Sequence, residues 1–388
     1  MITKTRIKKF LLTCLALLII ITLFMVIRKP WSITTLREGF PSQTWPASGN
    51  STSQGNTDAV AIEQNNKLIA TTEFLDSFKE SEGAAIGVAK DGENIYTYFA
   101  EGFSKDTKFN TYSMAKSLTG VLILKAISDG DIPSLDSTVD QFWSETKTTE
   151  IGDLQIHELL NMKSGIAFEK ESGDVGHENE TGKKDTALEF GPFSNLARLH
   201  VNGVDSVLSD IKVIEKDRGK YSYQNLNTAI LGRVLEETYD TPLDEQLYNK
   251  LAKPADAGGF HWRQYSSAET PSAYCCIYAN LEWWLKVTNF IMTNGENNSF
   301  LSSNMHEYFL GNDLKTSQIT EGVYRSQTRY DILDREGEKQ QGPFLFFTGN
   351  GGQMAYMIPH TNEVIVRFGS NYQPLHTTLY QISDFVPK

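Results

Sequence analysis

"NTYSMAKSLTG", residues 110–120, places Ser113 three residues ahead of Lys116 at the start of a predicted helix. Behind the serine, Met114, Leu118, Val121, Leu122 and Ala126 recur at helical spacing, and Gly130 is a stop signal. Positions i and i+3 share one face of a helix, so the lysine amine can reach the Ser113 hydroxyl. A helix N-terminus carries roughly half a positive charge. That field, together with burial, disfavours an ammonium. A neutral lysine can take a proton from a serine, whereas a charged one cannot. The pair can therefore be a nucleophile, Ser113, beside its base, Lys116, or an ordinary helix entry, and the tetrapeptide alone does not decide between them. Serine is also a favoured N-cap, and the same spacing recurs at Ser144/Lys147 and Ser209/Lys212. Those two lie in polar segments without a long apolar helix behind them and read as ordinary sequence.

Two further stretches carry chemistry. "KYSYQNLNTAILGRVLEE" (220–237) brings Tyr223, Gln224 and Asn225 to the start of an amphipathic helix over 226–240. A phenol beside a lysine can relay a proton, and an asparagine amide can orient a substrate carbonyl or the lysine. The form recurs at Tyr278-Ala279-Asn280, and an aromatic ahead of such a helix is commonly core packing. In "FFTGNGGQMAYMIPHTNEVIVRFG" (346–369), Gly349, Gly351 and Gly352 at the start of a strand let backbone approach a ligand closely. An N–H there, with that of Ser113, can form an oxyanion hole. The plain alternative is a glycine-rich hairpin.

In this order the three stretches resemble the serine β-lactamase-related family, most of all its class C branch with the related esterases and 6-aminohexanoate-dimer hydrolases. The likeness extends to Gly130, Ile132, Leu135 and Asp136 after the nucleophile helix. It includes Ile156, Leu159, Leu160, Ser164 and Gly165 of "LQIHELLNMKSGI", and "GNGGQMAYMIP" near the end. In "YSYQNLNTAILG" the family spacing of nine residues from Tyr to Gly232 selects Tyr223. The likeness covers roughly 70–386, with gaps around 168–215 and 300–340. It implies that Ser113 is the nucleophile, Lys116 its base and Tyr223 the second proton-transfer residue. It also implies substrate-binding roles for Asn225 and for Asn350, Gly351, Gly352 and Gln353. The implied fold is α/β (α+β) and β-lactamase/transpeptidase-like: an antiparallel sheet flanked by helices, with an inserted, mostly helical lobe.

The resemblance further implies a serine hydrolase that works through an acyl-enzyme without cofactor or metal. Family members usually present Lys or His where Asn350 stands, a cation that helps hold the carboxylate of penicillins or peptides. Asn350 shifts the expectation toward a small neutral ester or amide. A D-alanyl carboxypeptidase or class C β-lactamase is the second reading. A catalytically silent relative that binds a cell-wall fragment or a partner is the third.

The rest of the chain sets the context. Formal charge is −12, and residues 1–29 carry six Lys/Arg and no acid. The remainder is strongly acidic and repels phosphate backbones, so no nucleic-acid partner is expected. Four cations precede an uncharged run from Phe10 to Ile27, whose eighteen residues span about 27 Å as a helix. With no small-x-small cleavage site after it, the run reads as an uncleaved anchor. The predicted layout is a cytoplasmic basic segment (1–9), a transmembrane anchor (10–27), a flexible linker (28–66) and an extracytoplasmic hydrolase domain (67–388). Within the domain, "AAIGVAKDGENIYTYFAEG" (84–102) reads as a hairpin, 154–165 and 281–295 as helices, and 168–190 as a surface loop. "PFLFF", "QMAYMI" and "VIVRFG" read as strands and 376–386 as a closing helix. Cys14, Cys275 and Cys276 imply no disulfide framework, since neighbouring cysteines rarely bridge. The last two are expected as small buried side chains.

Overall fold

The computed structural model describes residues 4–57, 66–168, 191–266, 270–333, 342–372 and 376–388. The loop expected over 168–190 lies outside them, apart from Phe168. The main feature is an antiparallel sheet built from both ends of the domain. Its strands run in the order Val323–Arg325, Thr328–Leu333, Gly342–Gly349, Gln353–Ile358, Glu363–Gly369, Gly83–Lys90 and Glu93–Phe99. The hairpin and the three late strands fall where expected; the two strands before Gly342 add to them. Successive side chains alternate between two cores. Ile86, Val88, Phe344, Phe346, Tyr356 and Ile365 face one cluster with Phe74, Phe78, Leu379 and Phe385. Ala85, Leu345, Phe347, Ala355, Val364 and Val366 face the larger one. Both faces are therefore buried, as in a sheet covered by helices on each side.

The larger core holds the nucleophile helix, Met114–Asp129. Twelve of its sixteen residues are buried, so it is enclosed on nearly all sides. Burying one Leu, Ile or Val contributes about 1.5–3 kcal/mol, so the position of this helix is heavily overdetermined. Gly130 ends it in the left-handed conformation, donating its N–H back to the carbonyls of Ala126 and Ile127. The helices Asn225–Tyr239 and Leu281–Met292 pack in the same core.

Several boundaries differ from expectation. The helix expected over 154–165 spans only Ile156–Leu160, because Met162 (φ 55°) and Gly165 (φ 69°) turn the chain into a short strand, Ile166–Phe168. The closing helix spans Thr377–Ile382, and Val386–Pro387 instead pairs with Leu68–Ile69. The inserted lobe also carries a four-stranded sheet in the order Ser51–Gln54, Phe260–Arg263, Ile277–Ala279, Phe109–Asn110.

That second sheet corrects the reading of a flexible linker over 28–57; residues 58–65 of the 28–66 segment lie outside the described residues. A helix, Trp31–Glu38, follows the apolar helix Lys4–Arg28 after two residues, and Ser51–Gln54 is a paired strand. Glu38 forms a buried ion pair with Arg263 at 2.8 Å and accepts from Ser266 Oγ at 3.0 Å. Trp45 stacks on His261 with ring centroids 3.7 Å apart. Asn110 donates its N–H to the Gln43 carbonyl and its amide to the Ser42 carbonyl, each at 2.8 Å. Residues 31–54 form a strap fixed to the lobe. Past residue 40 no apolar period marks it, because polar and stacking contacts to distant residues order it.

Candidate active site

The chain enters the nucleophile helix through a tight turn. Tyr112 has φ 45°, uncommon for an aromatic, and its N–H donates to Asn110 Oδ1 at 2.9 Å. Its carbonyl accepts from Cys276 N–H at 3.2 Å, and Thr111 N–H donates to the Ile277 carbonyl at 3.0 Å. These bonds tie the turn to the short strand Ile277–Ala279. Ser113 follows at φ −69°, ψ −8°, and its side chain makes no capping bond. The plain N-cap role is thus not the one its hydroxyl plays.

Lys116 Nζ lies 2.9 Å from Ser113 Oγ and donates to the Tyr274 carbonyl at 2.9 Å. Lys116 is 1% exposed. The amine is thus held by a hydroxyl and a carbonyl in place of water. The centroids of the Tyr223 and Tyr274 rings lie 5.1 and 5.5 Å from Nζ. The structure therefore brings the Ser113–Lys116 turn and Tyr223 together from two distant parts of the chain. Burial pushes the Tyr274 phenol up to about 12, so it stays protonated at neutral pH. Tyr274 OH lies 3.4 Å from His200 Nδ1; burial, then the Arg263 charge, holds that imidazole well below its ordinary range.

Tyr223 is positioned by a support the sequence did not reveal. Its ring meets the Tyr324 ring edge-on with centroids 6.0 Å apart, and Tyr324 OH donates to Gln327 Oε1 at 3.3 Å. Gln327, 1% exposed, also accepts from Thr228 Oγ1 at 2.8 Å and donates to the Leu159 carbonyl at 2.8 Å. Its own carbonyl accepts from Ser117 Oγ at 2.6 Å. One residue thus links the nucleophile helix, through its backbone carbonyl, with Ile156–Leu160 and Asn225–Tyr239, through its side-chain amide. Asn225 opens that last helix half-buried, and its side chain makes no hydrogen bond among the described residues. The wired asparagine is Asn227, which accepts from Ser164 Oγ at 2.6 Å.

The glycine-rich stretch abuts the nucleophile turn. A Cβ on Gly349 would stand 2.2 Å from the Thr111 carbonyl oxygen, so only glycine permits this approach. Gly351 and Gly352 turn at φ 76° and 75° into the strand Gln353–Ile358. Asn350 is exposed, its Oδ1 3.4 Å from Tyr372 OH. The Gln353 side chain is buried and committed to backbone. It donates to the carbonyls of Asn350 and Gly369 and accepts from Gly369 N–H. Only the backbone of Gln353 is left to face a substrate. Behind the turn, buried Arg367 donates to the carbonyls of Gly352 (2.6 Å) and Ser81 (3.1 Å) and to Ser81 Oγ (2.9 Å). Burial lowers its guanidinium to about 10, which leaves it charged at neutral pH. Neither Gln327 nor Arg367 carries a motif signal, since each acts through contacts far along the chain.

The competing motifs are structural. Ser144 and Ser209 are exposed; Ser144 Oγ donates to Glu145, and Lys212 pairs with Glu150 at 3.2 Å. Tyr278 is buried, with its OH 3.2 Å from Ser42 Oγ, and Asn280 caps the helix Leu281–Met292. Cys275 and Cys276 depart from expectation. Cys276 is buried and Cys275 half-buried, and the two are joined as a vicinal disulfide, with Cys276 at φ 74°.

The family described as Beta-lactamase matches residues 72–376. No curated protein sequence matches the chain. Among solved structures, a protein assigned as a 6-aminohexanoate-dimer hydrolase from Bacillus anthracis superposes with TM-score 0.63 at 17% identity, covering 87% of this chain and 89% of its own. EstCE1, a hydrolase with promiscuous acyltransferase activity, gives 0.56 at 14% identity, with 80% and 98% covered. A class C β-lactamase from Rhodobacter sphaeroides gives 0.52 at 13% identity, with 81% and 98% covered. At such identities the superpositions speak for the fold, β-lactamase/transpeptidase-like as expected. With the family match spanning most of its length, the chain belongs to the Beta-lactamase family and is a serine hydrolase.

Proposed function

We propose that this chain is a membrane-anchored, extracytoplasmic hydrolase that cleaves a small neutral ester or amide through an acyl-enzyme on Ser113. The observation that carries the reading is the 2.9 Å approach of a buried Lys116 amine to the Ser113 hydroxyl, with the Tyr223 ring beside it. Lys116 takes the hydroxyl proton as Ser113 Oγ attacks the carbonyl, and Tyr223 passes a proton to the leaving group. The N–H groups of Ser113 and of the 351–353 turn bind the developing oxyanion, while Asn225 orients the substrate. Water then attacks the acyl-enzyme and releases the acid. Asn350 offers no cation for a substrate carboxylate, which favours neutral substrates over penicillins and D-alanyl peptides. The anchor is the helix Lys4–Arg28, whose window Leu11–Arg28 has a mean hydropathy of 2.7, a composition a signal sequence shares. The hydrolase domain is taken as 67–388 with the strap attached.

Labelling with a fluorophosphonate tests the nucleophile. Labelling should persist in Ser144→Ala and Ser209→Ala and vanish in Ser113→Ala. No labelling of the wild type would instead support the catalytically silent relative. Covalent labelling by a fluorescent penicillin, with slow release, would support the carboxypeptidase or β-lactamase reading.

A further inference from the structure

The strap leaves apolar side chains in water next to the proposed anchor. Ile33, Leu36 and Phe40 are 55%, 65% and 63% exposed. Ile33 and Leu36, at i and i+3, lie along one side of the helix Trp31–Glu38, and Phe40 follows just past its end at Gly39. Ser32 and Glu38 of that helix are buried against the lobe. The stripe starts five residues after Arg28, where the apolar helix ends, and Arg28, Lys29 and Arg37 flank it with positive charge. At its far end the Phe40 ring lies 5.7 Å from the Tyr112 ring, and Tyr112 OH donates to the Pro41 carbonyl at 3.2 Å. Ser113 is the next residue.

We propose that a bilayer surface covers this stripe and that the substrate is a membrane-resident amphiphile whose ester or amide reaches Ser113 from the lipid side. This rests on the anchored serine hydrolase of the preceding section and names its substrate class. Reach supports it: even with the non-helical residues fully extended, the chain from Arg28 to Phe40 spans less than about 30 Å. An apolar helical face adjoining a membrane span settles into the interface, with its apolar side at the headgroup boundary. Seating Ile33, Leu36 and Phe40 there carries Tyr112, and with it Ser113, to headgroup level. The site cannot swing away, because Glu38–Arg263 and Asn110–Ser42 fix the strap to the lobe. The acidic body gives no general attraction to anionic lipid, so contact is apolar and local.

The test uses the full chain in phosphatidylcholine vesicles, wild type against Ile33→Ser/Leu36→Ser and the milder Ile33→Ala/Leu36→Ala. Two chromogenic esters are compared, water-soluble p-nitrophenyl acetate and p-nitrophenyl palmitate dissolved in the vesicles. The serine variant should lose at least about tenfold in turnover of the embedded ester, the alanine variant less, with acetate turnover unchanged in both. Unchanged turnover of the embedded ester, or an equal loss on both esters, overturns the proposal. Cross-linking that shows a wild-type dimer lost in the variants, with embedded turnover unchanged, would assign the stripe to a second copy and overturn it too. Failure of the wild type on both esters strikes instead at the hydrolase reading and takes the substrate class with it.

Discussion

The nucleophile helix and the strap meet at residues 110–113 but are ordered by opposite means. The helix is held by apolar burial along almost its whole length, and its polar exceptions, Lys116, Ser117 and Thr119, each find a partner in the core. The strap buries little apolar surface. It is fixed at separate points: an ion pair at Glu38, a stacked ring at Trp45 and a strand pairing at Ser51–Gln54. Apolar burial is spread over many contacts and tolerates single losses, whereas point contacts concentrate stability in a few residues. Both converge on the segment 272–277. Its Tyr274 carbonyl holds Lys116, and Arg263, partner of Glu38, accepts from Ser272 N–H through its carbonyl.

Four measurements sharpen or break this contrast. The largest effect is expected from Lys116→Met, which keeps the side-chain volume and removes the amine. Turnover should fall about 10³–10⁴-fold with the thermal transition nearly unchanged, and a fall below tenfold would remove Lys116 as the base. Next, Glu38→Ala leaves Arg263 as an unpaired buried charge and should cost about 3–5 kcal/mol in denaturant unfolding. A cost under about 1 kcal/mol would show that the strap is not part of the folded unit. Third, Gly349→Ala forces a Cβ against the Thr111 carbonyl. It should cost about 1–3 kcal/mol and slow fluorophosphonate labelling of Ser113, since the collision falls on the turn that presents it.

The smallest effect concerns pH. Burial, then the Lys108 charge, lowers His261 to about 4. Below about pH 6.5 the unfolded chain binds a proton that folded His261 refuses until about pH 4. This contribution is therefore complete above about 6.5 and is lost as pH falls through that window. His261→Phe, which keeps the stack on Trp45, should flatten the decline of the thermal midpoint between pH 6.5 and 4; an unaltered slope would show that another group governs it. Glu158 acts at lower pH. Burial raises its carboxyl, but the Arg218 guanidinium at 2.6 Å outweighs this and holds it below the ordinary range. Its contribution is present above the usual carboxylate range and lost as pH drops below it.

What was legible follows from the kind of force involved. The hairpin at Asp91-Gly92, the strands of "QMAYMI" and "VIVRFG" and the helix ending at Gly130 were all read, because turn residues and apolar period are local signals. The two strands before Gly342 went unread: in Val323–Arg325 and Thr328–Leu333, polar residues interrupt the alternation. Of the proposed site, Ser113, Lys116 and Tyr223 were singled out by motif spacing, and Tyr223 was preferred to the buried Tyr278 through the Tyr-to-Gly distance of the family it resembles. Gln353 was expected to bind substrate, yet its side chain is taken up by Gly369. Gln327 and Arg367 were not found, since a buried amide or guanidinium is defined only by the carbonyls it meets.

The sequence by itself determined the order of elements, the serine and lysine one helical turn apart, and the uncharged run ahead of the domain. Each of these is written in residues close along the chain, where a period or a turn is enough. Tertiary structure alone decided that Tyr223 reaches Lys116, that Gly349 leans on Thr111, and that residues 31–54 belong to the folded body. Glu38 and Arg263 stand 225 positions apart, and no local pattern records that burying one charge requires the other.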